Sequence, residues 1–352
     1  MITIEQLLTE AKQSKASDLH LTVGVPPIIR MHGDLKYMNY DRLTPDMTKV
    51  LVYEMLSDGQ KAHLSEFGEV DFSFSIATIG RFRVNAYKQR GSLAAALRLV
   101  DSVIPEPEKL GLPESVVELN KLKRGLVLVT GPTGSGKSTT LASIIAQVNK
   151  TRSAHIITLE DPIEYLHKHG KSIVNQREIG LDTNSYSNAL RAALRQDPDV
   201  ILVGEMRDLE TISIAVTAAE TGHLVLSTLH TTGAVSTIDR VIDVFPPHQQ
   251  QQIRVQLGSV LQAVISQQLI TTADGLGRVA AFEILHVNQA VRNLIREAKS
   301  HQILSIMQTN KRIGMQTMDD ALLELLKLGK ITREQAMIYS VDAPSMQRRI
   351  MG

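Results

Sequence analysis

The chain has 352 residues, 43% of them hydrophobic and 21% charged, with a formal net charge of +1 at pH 7. This is an ordinary globular composition, long enough for two separate cores. The near-neutral balance gives no electrostatic reason to expect nucleic acid as a direct partner, and aromatics at 4% without a tryptophan weaken any base-stacking role. The absence of cysteine excludes disulfides, thiolate zinc sites and cysteine nucleophiles together, and no apolar stretch approaches the roughly 18 residues that a bilayer span needs.

Thr3-Ile4-Glu5-Gln6 reads as a capping box opening an amphipathic helix with Ile4, Leu7, Leu8 and Ala11 on one face. Glu5 and Glu10 interrupt that first apolar pattern, which argues against a signal peptide. Strand patterns follow at Leu19–Val23, Ile28–Met31, Val70–Ile76, Arg81–Tyr87 and Ala94–Val100, so residues 1–100 are expected to form a mixed α/β domain with an antiparallel sheet. Residues 101–113 carry Pro105, Pro107 and Pro113 and read as a linker. From 114 to 285 strands alternate with helices, the mark of a parallel sheet wound with helices, and 286–352 is expected to be helical. In that last region a helix over Asp319–Lys327 ends near Gly329, and Thr332-Arg333-Glu334-Gln335 caps another.

The chemistry centres on Gly131-Pro132-Thr133-Gly134-Ser135-Gly136-Lys137-Ser138-Thr139, which fits the phosphate-loop pattern G-x-x-x-x-G-K-[ST] between a buried strand (125–130) and a helix start (140–146). Glycines allow several backbone N–H groups to point at one anion, and the helix N-terminus adds partial positive charge. Lys137 can reach the β- and γ-phosphates of ATP, and Ser138 can offer its hydroxyl to Mg²⁺. Hydrolysis also needs carboxylates near the metal and the attacking water. Val200–Val203 is an apolar strand leading into Gly204 and Glu205, whose acid would face the ligand crevice at the carboxyl end of a parallel strand. His155–Leu159 is another, followed by Glu160, Asp161 and Glu164. A divalent ion would relieve the repulsion among these acids, and Glu164 is the candidate for polarising water. A third apolar strand, 222–229, ends in polar residues, and Thr228, His230 and Thr231 are placed to read the γ-phosphate. His223 lies at the other end, about 20 Å away in extended chain, and cannot share a metal with His230; a structural role suits it as well.

These blocks, Gly131–Thr139, Leu159–Tyr165, Leu202–Arg207 and Gly222–Thr231, stand in the order and spacing of the type II/type IV secretion ATPase superfamily. The sequence most resembles the type IV pilus retraction ATPases. Ser17–Leu21, Gly80–Asn85, Arg195–Asp199 and Asp239–Asp243 agree as well, and Ala290–Glu297 resembles the helix that marks retraction members, with Val291 where Ile is usual. The resemblance covers essentially the whole chain. It implies an α/β fold with an N-terminal PAS-like domain, a C-terminal RecA-like P-loop ATPase domain and a helical C-terminal extension.

It also implies a homohexameric ring that uses ATP and Mg²⁺, with Ser138, Glu160 and Glu205 toward the metal. Glu164, Glu205, Lys137 and His230 are the expected catalytic groups, and Arg81 and Arg83, alternate residues on one strand face, are expected to approach the phosphates. The implied place of action is the cytoplasmic face of the inner membrane, held there through a platform protein and acting indirectly on pilin. In the Ala290–Glu297 helix, Val291, Leu294, Ile295 and Ala298 would form the apolar face and Arg292, Asn293, Arg296 and Glu297 the polar one. An accessory retraction ATPase is the near alternative. Assembly ATPases carry a tetracysteine element that this cysteine-free chain lacks. A non-hydrolysing nucleotide scaffold is disfavoured by the intact acids, and a RecA-like nucleic-acid motor by charge and aromatic content.

Overall fold

The computed structural model describes residues 2–31, 33–100 and 103–351; residues 101 and 102, where the expected linker begins, lie outside the described residues. The chain divides into two units, 1–103 with 164–166, and 104–163 with 167–352.

In the first unit α1 (Ile4–Gln13) opens with the capping box: the Thr3 hydroxyl accepts from the Gln6 N–H, and the Gln6 side chain accepts from the Thr3 N–H. Its buried face is Ile4, Leu7, Leu8 and Ala11. There follow β1 (Asp18–Leu21), β2 (Ile28–Met31), β3 (Asp34–Tyr37), α2 (Pro45–Met55), α3 (Asp58–Phe67), β4 (Glu69–Ile76), β5 (Gly80–Gln89) and β6 (Ser92–Val100). Among the described residues these strands form a six-stranded antiparallel sheet ordered β3-β2-β1-β6-β5-β4. Strand β3 and helices α2 and α3 go beyond the expected elements. The helices start at Thr44 and Ser57, whose hydroxyls accept from Met47 and Gln60 N–H groups, so the cap signals were present. On β5, Phe82, Val84 and Ala86 face the core, while Arg81 and Arg83 take the other face.

The second unit runs α4 (Glu114–Val117), β7 (Gly125–Thr130), α5 (Lys137–Thr151), β8 (His155–Glu160), β9 (Ile173–Glu178), α6 (Tyr186–Ala193), β10 (Val200–Val203), α7 (Leu209–Glu220), β11 (Leu224–Leu229), α8 (Ala234–Asp243), α9 (Pro247–Val260), β12 (Leu261–Thr271), β13 (Arg278–His286), α10 (Gln289–Arg296), α11 (Ile303–Thr309), α12 (Met318–Lys327), α13 (Arg333–Tyr339) and α14 (Ala343–Met351). The strands form a seven-stranded sheet ordered β13-β12-β7-β11-β10-β8-β9. All neighbours are parallel except β13, which returns antiparallel on β12. The expected alternation of strands with helices also breaks at β9, which pairs parallel with β8 across an irregular crossover, 161–172.

Helices cover both faces of this sheet, so its central strands are apolar on both sides. On β7, Leu126 and Leu128 join one cluster with α6 to α11, while Val127 and Val129 join another with α5 residues Leu141, Ile144, Ile145 and Val148. The C-terminal helices α12 to α14 pack on the β13 edge through Met318, Leu322, Ala336 and Met346.

Helix α10 differs from the sequence expectation on both faces. Val291 and Ile295 are fully buried, each contributing about 1.5–3 kcal/mol of apolar burial, and Leu294 packs at the cluster margin. Ala298, however, lies past the helix end, exposed and left-handed at φ 58°. Arg292 is not a solvated residue: its Nη1 donates to the carbonyls of Gly258 at 2.7 Å and Ser259 at 2.6 Å, at the C-terminus of α9. It thereby satisfies carbonyls that the end of α9 leaves without intrahelical partners.

Candidate functional site

Strand β7 ends at Thr130, held between Leu229 of β11 and Ser266 of β12. The chain then turns through Gly131–Gly136 into α5. Gly131 and Gly136 adopt positive φ here, and Gly131 is required by space as well. Gly131 has φ 138°, and a Cβ on it would lie 2.2 Å from the Gln267 carbonyl oxygen; Gly136 has φ 92°, and a Cβ there would lie 2.7 Å from Gln267 Nε2. Helix α5 begins without a side-chain cap and with no acid in its first turn, which leaves its N-terminal amides and dipole for an anion. Lys137 is buried, and its Nζ donates to the carbonyls of Gly131 at 2.9 Å and Pro132 at 3.0 Å. The Ser135 hydroxyl is buried with no hydrogen-bond partner. A glycine cradle, an uncapped helix start, a buried ammonium and an unsatisfied hydroxyl together fit a phosphate group.

The acids lie at the carboxyl ends of the neighbouring strands. Glu205 follows β10; its Oε2 takes the Arg207 Nε at 2.8 Å and lies 3.2 Å from His230 Nε2, just beyond β11. The structure thus brings Glu205 and His230 together. Glu160 ends β8 and accepts from Thr158 Oγ1 at 2.6 Å and Gln176 Nε2 at 3.1 Å. Among the described residues no three His, Asp or Glu side chains gather as a metal cage.

Two expectations for the third strand change. Thr228 commits its proton to the Gly204 carbonyl at 2.5 Å, which removes it as a phosphate donor, and Thr231 Oγ1 lies 2.8 Å from Thr237 Oγ1 on α8. His223 is structural: its Nδ1 sits 2.9 Å from the Ala218 carbonyl, and its own carbonyl accepts from Gly125 N–H. Arg81, Arg83 and Glu164 belong to the first unit. Arg83 and Glu164 are exposed there and Arg81 is half-buried.

Three residues escaped sequence reasoning. Tyr186, at the start of α6, places its hydroxyl 2.8 Å from where a Gly204 Cβ would be. Burial, and after it the charges of Glu205, Asp161 and Glu160, push that hydroxyl far above its ordinary pKa. Glu283 on β13 is buried and joins two helix starts, Oε1 accepting from Ala234 N–H at 2.6 Å and Oε2 from Met318 N–H at 3.3 Å. Gln267 on β12 abuts the phosphate loop. For Glu283 the available signal was a charge between Phe282 and Ile284 in an apolar strand, whereas Gln267 stands in a polar run, Ser266-Gln267-Gln268, that gives no such signal.

The wider comparisons agree with this geometry. The chain is 51% identical over 333 residues to a Pseudomonas aeruginosa protein named a type IV pilus retractation ATPase, PilT, covering 95% of this chain and 96% of that one. It is 50% identical over 320 residues to a Neisseria gonorrhoeae twitching motility protein, covering 91% and 86%. A crystal structure of the pilus retraction motor PilT with bound ADP superposes with a TM-score of 0.93 at 54% identity, covering 99% of this chain and all of that one. The model of the type II/IV secretion system protein family matches residues 1–337, and the chain belongs to that family.

Proposed function

We propose that this chain is the subunit of a homohexameric, Mg²⁺-dependent ATPase motor that drives type IV pilus retraction. One observation carries the reading: a phosphate loop and the Glu205–His230 pair end the consecutive parallel strands β7, β11 and β10 of one sheet, in a chain half identical to a named retraction ATPase. Bound Mg²⁺ would supply neutralisation of phosphate charge. Lys137 and the loop amides would orient the phosphates, Ser138, Glu160 and Glu205 would hold the metal, and Glu205, oriented by Arg207 and His230, would also support the reacting end. Glu164 is assigned to the attacking water, and Arg81 and Arg83 to phosphate charge, from the family resemblance. The partner would be an inner-membrane platform protein, reached from the cytoplasmic side; no helix among the described residues is long and apolar enough to cross a membrane.

Two measurements test the proposal. The purified chain should turn over ATP only with a divalent ion present. Deleting its gene in the host should leave labelled pili that extend but do not retract. Normal retraction in the deletion strain would overturn the motor assignment while leaving the ATPase standing.

A further inference from the structure

Gln267 is a buried amide, 3% exposed, in the strand beside the phosphate loop. Strand β12 pairs Ser266 with Thr130, so Gln267 comes level with the first loop residue, Gly131. Alternation sends its side chain to the face of Ala263 and Ile265, against α5. Its Oε1 accepts from Thr140 Oγ1 at 2.8 Å, in the first turn of α5. Its Nε2 and its carbonyl oxygen occupy the space beside Gly136 and Gly131, so one residue touches both ends of the loop.

We infer that Gln267 is a positioning residue of the phosphate loop, setting its curvature and the seat of α5 so that the amides converge on a phosphate. The inference rests on the nucleotide reading of that loop and adds a residue to it. Truncating the side chain leaves space beside Gly136 and removes Thr140's acceptor, and the loop can widen. The same amides hold the phosphates before and during transfer, so the loss falls on binding more than on the turnover step.

The test compares the parent with Gln267→Ala, Gln267→Met, Thr140→Val and the Gln267→Met/Thr140→Val pair. Gln267→Met keeps most of the volume while removing the amide, and it decides the matter if Gln267→Ala does not fold. A fluorescent ADP gives Kd, and steady-state ATP turnover gives KM and kcat. The expected result is a rise of about tenfold in Kd and KM with kcat changed less than about threefold, and a pair no worse than its worse single variant. A packing role alone would lower kcat with the folded fraction and leave KM unchanged, and that result overturns the inference. So does a Kd within about twofold of the parent, or full additivity in the pair. Lys137→Ala serves as reference: if it loses ADP while the Gln267 variants keep it, this inference alone fails. A folded parent that binds no ADP removes the nucleotide reading and this inference with it.

Discussion

In the proposed reaction Lys137 and Glu205 have separate tasks. Lys137 brings the one cationic side chain of the loop, and the backbone amides cannot replace its charge at the transferring phosphate. Lys137→Ala should therefore lower ATP turnover on the order of 10²–10³ while thermal unfolding stays close to the parent; turnover near the parent's would sink the phosphate-loop assignment. Glu205 acts later. Glu205→Ala and Glu164→Ala should each impair hydrolysis yet leave a fluorescent ATP analogue bound, because the loop still holds the phosphates. A variant that loses binding as fully as Lys137→Ala has lost more than a hydrolytic group. Lys137 and the glycines were legible because their demands are local: a tight turn, a helix start and a buried strand within about twenty residues. Gln267 was not, because what it touches lies more than a hundred positions earlier, and only the pairing of β12 with β7 brings the two together.

Among the elements, α10 is where pattern and contact part ways. Its apolar stripe was readable at Val291 and Ile295, since period alone reports which face is buried. Pattern could not report that Arg292 reaches the end of α9, because that depends on another helix's terminus. Arg292→Ala should thus cost about 1–2 kcal/mol of stability, read as a lower urea midpoint, whereas exposed Asn293→Ala should stay within about 0.5 kcal/mol. Of the two, Asn293→Ala is the cleaner probe of a retraction role separate from folding. Unchanged stability in Arg292→Ala would reduce its capping contact to a surface detail. Glu283 supplies a second test. Burial chiefly, with Asp319 adding to it, raises its carboxyl above the ordinary 4.5, while the Ala234 and Met318 N–H groups oppose the rise. A raised acid keeps its proton to higher pH in the folded state than in the unfolded chain, so its stabilising contribution is full below 4.5 and is lost as pH climbs through the raised value. The stability difference, parent minus Glu283→Gln, should shrink over that climb. A flat difference in urea midpoints would show that Glu283 is not raised.

At the scale of the molecule, the two sheets show which parts of a fold a sequence exposes. Five of the six described strands of the antiparallel sheet and the strands bearing the nucleotide motifs were legible as contiguous apolar or alternating runs, whereas the exposed edge strand β3 was not. The lateral order β13-β12-β7-β11-β10-β8-β9 was not, since it is set by pairings distant in sequence. Six-fold assembly is the matching test on the proposed function: native mass measurement with Mg²⁺ and ATP should give about six chains per particle, and a monodisperse monomer at working concentration would remove the ring.

That strand order also fixes a timetable for synthesis. The earliest strand of the second unit to leave the ribosome, β7, ends up between β11 and β12, which emerge roughly a hundred or more residues later. Until then its hydrogen-bonding edges lack their native neighbours, whereas the first unit is complete, apart from residues 164–166, once residue 103 is out. Nascent chains arrested short of β12 should be cut readily by protease across Gly131–Thr151, and chains with β13 exposed should resist. The phosphate loop would acquire its shape only after β12 is in place, so the nascent chain would not take up nucleotide before the unit's final strands are made.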